Sequence, residues 1–233
     1  MLLNDTATER FDIGRAAIFR YAPEYAGTGQ TTAGAWDGTT DLFAEMEHIG
    51  TTEGPVDIGA NPEYSELSIE VTGPAALKRY LSGERPEFEI GVFPNPANMG
   101  VFTPTGRGSA GQKRRRLVRE HTLWVVPEEL FLETDAAGNM TEVAVTYAGG
   151  SFLKDGNALS VAEQELVDMS ILIWRADFSR LTPLYQHDDG GKSLKNVTVT
   201  VQQDLQKPDG CQLYLVMSEL ADFPTLDLAG SES

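Results

Sequence analysis

The stretch "SELSIEVTGPAALKRYLSGERPEFEIGVF", residues 65–93, carries the pattern from which the fold class follows. In Ser65–Val71, the apolar Leu67, Ile69 and Val71 alternate with Glu66, Ser68 and Glu70, the period of a half-buried strand. "PEFEIGVF" (86–93) repeats the alternation, with Phe88, Ile90 and Val92 directed inward and Glu87 and Glu89 outward. The segment between them has helix signals of its own. Thr72 or Gly73 suits a cap, Pro74 the first helical position and Gly83 the left-handed residue past the end. Leu77, Tyr80 and Leu81 recur at helical spacing, so a short helix over about 74–82 is expected to pack on a sheet through these three side chains. The unit reads strand, helix, strand, and the outward face of both strands is rich in glutamate.

Working outward, strand signals dominate. "RAAIFRYA" (15–22) reads as a first strand and "LFAEMEHIG" (42–50) as a return to order. "EHTLWVVPEELFLE" and "TEVAVTYA", separated by "TDAAGN", read as a hairpin with a loose turn. "AEQELVDMSILIWRADF" (162–178) reads ambiguously: β-branched and aromatic residues favour strand from Met169 to Ala176, while "VAEQEL" is compatible with a helical opening. "NVTVTVQQ" and "CQLYLVMS", joined through "KPDG", read as a closing hairpin. Two Gly-, Pro- and Thr-rich loops, 24–41 and 95–114, are long enough to imply a role in contacts with a partner, and mobility in the free subunit is expected of both. The acidic tail 219–233 is expected to be mobile at its end. The chain is expected to be one mainly β domain over 1–233, sandwich or barrel-like, with one short flanking helix.

Charge narrows the function classes. Thirty-five Asp and Glu oppose 18 Lys and Arg, a formal net charge of -17. Tight binding to nucleic acid needs the opposite balance, because affinity comes from neutralising phosphates. No apolar run approaches the roughly 18 residues that cross a bilayer, and the start lacks a basic region followed by an apolar core, so a folded cytosolic product is expected. Cys211 is the one cysteine, which excludes an internal disulfide and reads as a small buried strand residue.

The search for catalytic chemistry finds little. "HDDGGKS" (187–193) ends like a phosphate-binding loop, but Gln186 stands where that pattern requires glycine, and a solvated turn is the better reading. His187, Asp188 and Asp189 are adjacent, and three neighbours alone supply no closed metal geometry. His48 and His121 have no helical partner at metal spacing, and no nucleophile elbow occurs. The glutamates are too many and too regular to single out a hydrolytic pair. No enzyme, cofactor or metal is expected. The basic run Lys113, Arg114, Arg115 and Arg116 sits in an acidic chain and reads as a salt-bridging loop that meets an acidic neighbour.

One resemblance is specific in order and spacing. Residues 42–93, "LFAEMEHIGTTEGPVDIGANPEYSELSIEVTGPAALKRYLSGERPEFEIGVF", contain a "G-x-T-E-G" turn at Gly50, Thr52, Glu53 and Gly54. They then contain "P-E-Y-x-E" at Pro62, Glu63, Tyr64 and Glu66, and a "T-G-P … K-R-Y-L-x-G-E" unit at Thr72–Pro74 and Lys78–Glu84. This succession resembles the tail tube (major tail) proteins of long-tailed, non-contractile bacteriophages. The late segment 196–216 is similar to the closing strands of the same family.

The resemblance implies a β-sandwich or barrel-like core with a flanking helix, and subunits that form hexameric rings stacked into a hollow tube. It implies a location in the virion tail, with assembly in the host cytoplasm. The partners it implies are further copies of the chain, a tape-measure protein and a tail terminator, with DNA passing through and not held. A DNA channel should repel phosphates, and Glu66, Glu70, Glu87 and Glu89 are expected to include lumen-lining residues, the alternative being that they face solvent on the tube's exterior. Tyr25, Trp36 and Lys113, Arg114, Arg115 and Arg116 are the expected inter-subunit contacts. The alternative from a different class is an acidic β-domain that binds or decorates, as a monomer or small oligomer.

Overall fold

Alternating side chains on long strands decide the architecture, because several of the strands have two apolar faces to bury. In the strand Phe11–Tyr21 (β1), Ala16 and Ile18 enter one core while Ala17 and Tyr21 enter another. In His121–Pro127 (β6), Leu123 and Val125 alternate in the same way with Trp124 and Val126. Strands apolar on both faces need cover on both sides, and the chain supplies it by closing a barrel and laying a second layer over one wall. The computed structural model describes residues 11–22, 34–38, 40–58, 62–67, 78–84, 87–94, 120–134, 136–181, 186–187 and 193–229.

The remaining strands follow in chain order. Met46–Ile58 (β2), Pro62–Leu67 (β3), Lys78–Glu84 (β4) and Glu87–Pro94 (β5) precede β6. Leu132–Thr134 (β7), Met140–Glu142 (β8), Val145–Ala148 (β9), Ser151–Lys154 (β10) and Asn157–Ala158 (β11) follow it. The helix Val161–Asp168 (α1) leads to Ile171–Leu181 (β12), Gln186–His187 (β13), Ser193–Gln202 (β14) and Tyr214–Val216 (β15). The sheet order β14-β5-β2-β1-β6-β12 is closed by a further pairing of β12 with β14. Every neighbouring pair in this ring of strands is antiparallel. Closure leaves the barrel strands no open edge along most of their length.

The barrel interior is filled by Ala16, Ile18, Ile49, Val56, Val92, Leu123, Val125, Ile171, Ile173, Ala176, Phe178, Val197, Val199 and Val201, all buried. The β12 series jumps from Ile173 to Ala176 because the pairing with β6 slips between them, so the inward face changes parity and resumes. On β1, similar irregularities on either side of Arg15 disturb the ladder with β2. There the backbone N–H of Ala16 donates to the Thr52 hydroxyl at 2.8 Å, which keeps a buried donor satisfied.

The second layer packs its aromatic face on β1, β6 and β12. Trp124, Phe43 and Phe152 stack or meet edge-on at 4.7–5.3 Å between ring centroids. Two successive two-residue hairpins build its small sheet. Gly149 and Gly150 (φ 60° and 81°) join β9 to β10, and Asp155 and Gly156 (φ 49° and 76°) join β10 to β11. Positive φ at both central residues is what the right-handed twist of a hairpin requires. α1 begins in a reciprocal capping box, in which the Ser160 hydroxyl accepts from the Glu163 N–H and the Glu163 carboxylate accepts from the Ser160 N–H.

The mainly β class is as the sequence reading has it, but two elements are corrected. The one α-helix of the described residues is α1, and the stretch expected to be helical at 74–82 is strand from Lys78 onward, paired antiparallel with β3. Ser82 and Gly83 are poor helix formers, and a two-turn segment depends on tertiary packing that hairpin pairing supplies instead. The second correction concerns β14 and β15, which do not pair with each other. Gln202 stands opposite Arg175 and Tyr214 opposite Ile173, so the two strands lie end to end along one edge of β12. The "KPDG" segment is an excursion from a single line of strand, closed at its neck by Asp204 N–H donating to Gln212 O at 2.8 Å.

Candidate assembly surface

The barrel presents two unlike walls. The wall of β1, β6 and β12 lies under the second core, which contains Trp36, Leu42, Phe43, Trp124, Leu130, Phe152, Leu172, Trp174, Leu215 and Leu228 but no residue of β5 or β14. On the opposite wall the register places Glu87 across from Thr200, Glu89 from Thr198, and Gly91 from Asn196. Phe88 and Ile90 stand across from Val199 and Val197, which fill the barrel. Strand alternation therefore places positions 87, 89, 196, 198 and 200 on the side away from the barrel core, where Thr198 is itself buried, 9% exposed. The residues at these positions are polar in sequence, two of them glutamates.

The three expected lumen residues that are described lie in two different sheets. Glu87 and Glu89 are on β5, whereas Glu66 is on β3, opposite Arg79, in a separate two-stranded sheet. Glu70 lies outside the described residues, as do Leu77, Tyr25 and the run Lys113, Arg114, Arg115 and Arg116. Tyr80 and Leu81 stand on β4 opposite Ser65 and Tyr64, in a strand and not on a helix face. Trp36, expected at a contact between subunits, is 4% exposed and belongs to the subunit's own second core. An aromatic that deep gives up its apolar surface within the chain and is not available to a neighbour.

Trp36 also orders part of the loop expected to be mobile. Its backbone N–H donates to the Thr122 hydroxyl at 2.8 Å, and that hydroxyl donates to the Trp174 carbonyl at 2.6 Å. Its indole N–H donates to the Thr40 carbonyl at 2.9 Å. The Lys207 ammonium lies 4.3 Å from the Trp36 ring centroid and 4.9 Å from that of Trp174, within cation–π range. Burial pushes the Lys207 ammonium below its ordinary pKa, against the opposing pull of the Asp204 carboxylate. The excursion between β14 and β15 thus clamps residues 34–38 onto the barrel. Nothing linear marks Lys207, since its two rings lie far away in sequence. The C-terminal segment is likewise packed as far as Leu228, which is 3% exposed and whose carbonyl accepts from Leu42 N–H at 2.9 Å.

The second layer carries an acidic rim held by one buried cation. Lys154, 8% exposed, reaches Glu163 at 3.0 Å and Glu133 at 3.4 Å, and donates to the Leu132 carbonyl at 3.2 Å. This ties the β7–β8 hairpin, β10 and α1 together. The Ser160 hydroxyl and backbone N–H, helped by Lys154, hold the Glu163 carboxyl down at about 2. Burial lowers the pKa of His48, opposed by its bond with the Gly50 backbone and by the charges of Glu142 and Glu128. Among the described residues no group of three or more His, Cys, Asp and Glu is placed to hold a metal ion, and no helix is long and apolar enough to cross a membrane.

Comparison with family models, with curated proteins and with solved structures finds no match. The functional reading rests on the residues and geometry above.

Proposed function

We propose that this chain is the subunit of a phage tail tube, a structural virion protein that assembles by itself into rings, hexameric by the resemblance, which stack around a DNA conduit. The observation that carries the reading is the contrast between the barrel's two walls. One is buried beneath an aromatic layer, and on the other, of β5 and β14, polar positions, with glutamate at 87 and 89, alternate with those that fill the barrel. A wall that is apolar inside and acidic outside separates a dry core from a passage for a polyanion, which slides without sticking when the surface repels phosphate. The net charge of -17 acts in the same direction and also opposes premature association of free subunits. The ordered motifs of residues 42–93 support the same family.

In this reading Glu87 and Glu89 line the lumen, and the basic run at 113–116 meets acidic surface of a neighbour. A tape-measure protein and a terminator bound the tube, in the virion tail. Sedimentation velocity over a concentration and salt series tests the proposal. Screening weakens acid–acid repulsion, so large species should grow as salt rises. A chain that stays a monomer at every concentration and salt level, while saturating with a ligand or capsid partner, would instead be a binding or decoration module.

A further inference from the structure

Among the described residues the second layer contains a strand edge with no strand paired to it. β9 ends the three-stranded sheet β11-β10-β9, and among the described residues β10 is its one partner. Its sequence, Val145-Thr146-Tyr147-Ala148, holds no charge and no proline. Natural edge strands are ordinarily blunted by lysine, proline, a bulge or a covering segment, because their unpaired N–H and C=O groups recruit other strands. The register makes the availability of this edge specific. The Gly149–Gly150 turn sets Ala148 opposite Ser151, followed by Tyr147–Phe152, Thr146–Leu153 and Val145–Lys154. In a two-residue hairpin the pair beside the turn exchanges both hydrogen bonds and the next pair none, in alternation. Tyr147 and Val145 therefore turn their backbone N–H and C=O away from β10, toward the open edge.

The edge is also rigid, and its surroundings are acidic. Tyr147 packs on Phe43 and Phe152 at 4.9 Å, whereas Thr146 and Ala148 are exposed. Asp41 and Asp227 lie close enough to Tyr147 to add to the effect of burial in raising its phenol pKa. Asp155 donates its N–H to the Ala144 carbonyl at 3.0 Å, directly before β9. The same chain has a second small sheet with a free edge, and one end of its outer strand is basic. β3 and β4 form a two-stranded sheet that pairs with no other described strand, and β4 opens with Lys78-Arg79-Tyr80. A two-stranded hairpin alone is marginal in water and gains stability from a third strand.

We infer that the β9 edge of one copy is completed by β4 of a neighbouring copy, giving the continuous sheet β11-β10-β9-β4-β3 across the contact. This rests on the self-assembly reading and names the surfaces through which one contact forms. The two surfaces differ, so the contact is head-to-tail, and its repetition gives a ring when the rotation closes and an open helical filament when it does not. The Lys78 and Arg79 end of β4 supplies positive charge to an acidic neighbourhood, which fixes polarity and speeds encounter.

The test is the variant Thr146→Lys/Ala148→Lys, which places two lysines at exposed positions of the edge strand. It should keep the unfolding transition of the wild type and lose the fast-sedimenting species under conditions where the wild type assembles. Adding Lys78→Glu/Arg79→Glu to it should restore assembly by exchanging the charges. A second test needs no assembly-blocking variant: Thr146→Cys chains mixed with Arg79→Cys or Tyr80→Cys chains should oxidise to a disulfide heterodimer, since paired strands bring Cα atoms within bridging range. A wild type that assembles, beside a lysine variant that assembles equally well, overturns the strand pairing and leaves the tube reading standing. Loss of assembly with neither rescue nor cross-link overturns β4 as the partner strand. A wild type that never assembles removes both readings.

Discussion

Replacing Thr122 by valine should cost far more than its change in shape. Thr122 is 0% exposed, and its hydroxyl both accepts from Trp36 N–H and donates to the Trp174 carbonyl. Valine keeps the volume and removes both bonds, leaving a buried N–H without its acceptor and a carbonyl short of one donor. An unsatisfied buried polar group costs about 1–3 kcal/mol. The carbonyl has a second lone pair, so most of the loss falls on the Trp36 N–H, and a total of about 2–3 kcal/mol is expected. Thr122→Ser removes one methyl and keeps the hydroxyl, so it should cost about 1 kcal/mol. Urea unfolding followed by circular dichroism gives both values, and tryptophan emission of the native state reports whether residues 34–38 stay docked. Valine should therefore be the worse variant, with red-shifted native emission. A valine variant within about 0.5 kcal/mol of wild type, or a serine variant worse than valine, would show that packing and not hydrogen bonding holds the Trp36 loop.

Three further outcomes follow from the same geometry. Glu163 has its folded pKa depressed to about 2, so it contributes stability above the ordinary carboxylate pKa that is lost as pH falls through about 2. In thermal unfolding from pH 6 down to pH 2, the advantage of wild type over Glu163→Gln should shrink; an advantage constant with pH would contradict the capping-box and Lys154 assignment. Gly156 has φ 76° with open space around its Cα, so Gly156→Ala should cost about 1–2 kcal/mol from backbone conformation alone, measured by chemical denaturation, and no loss would refute the positive-φ turn. Glu87→Lys with Glu89→Lys should leave assembly intact and reduce DNA ejection from reconstituted virions, and normal ejection would remove these residues from the lumen.

How far the fold was legible depended on whether a signal was local. The strand β5 follows from alternation and β12 from a β-branched and aromatic run, β1 carries an apolar strand signal, and α1 lies where a helical opening is one option, so each has a signal in place. The segment 78–84 misled because Tyr80 and Leu81 fit a helical stripe with an earlier apolar residue, while its real partner, β3, supplies the hydrogen bonds that decide the outcome. The Gly149–Gly150 and Asp155–Gly156 turns and the Ser160/Glu163 box are local signals for the second layer, present in the sequence and unused in the reading of it. Barrel closure, by contrast, rests on β12 pairing with β14, and no local pattern encodes which strands meet. The burial of Trp36 was illegible for the same reason. A Gly- and Thr-rich context predicts a loop, and only the distant Thr122, Trp174 and Lys207 make that loop part of the core.

Self-assembly into a hollow tube is the central claim, and negative-stain electron microscopy of the purified chain, over a concentration and salt series, tests it most directly. Rings or hollow tubes of uniform width, growing longer as salt screens the acidic subunits, are the expected result. Small discrete particles at every concentration and salt level, with no rings or tubes in any field, would contradict it.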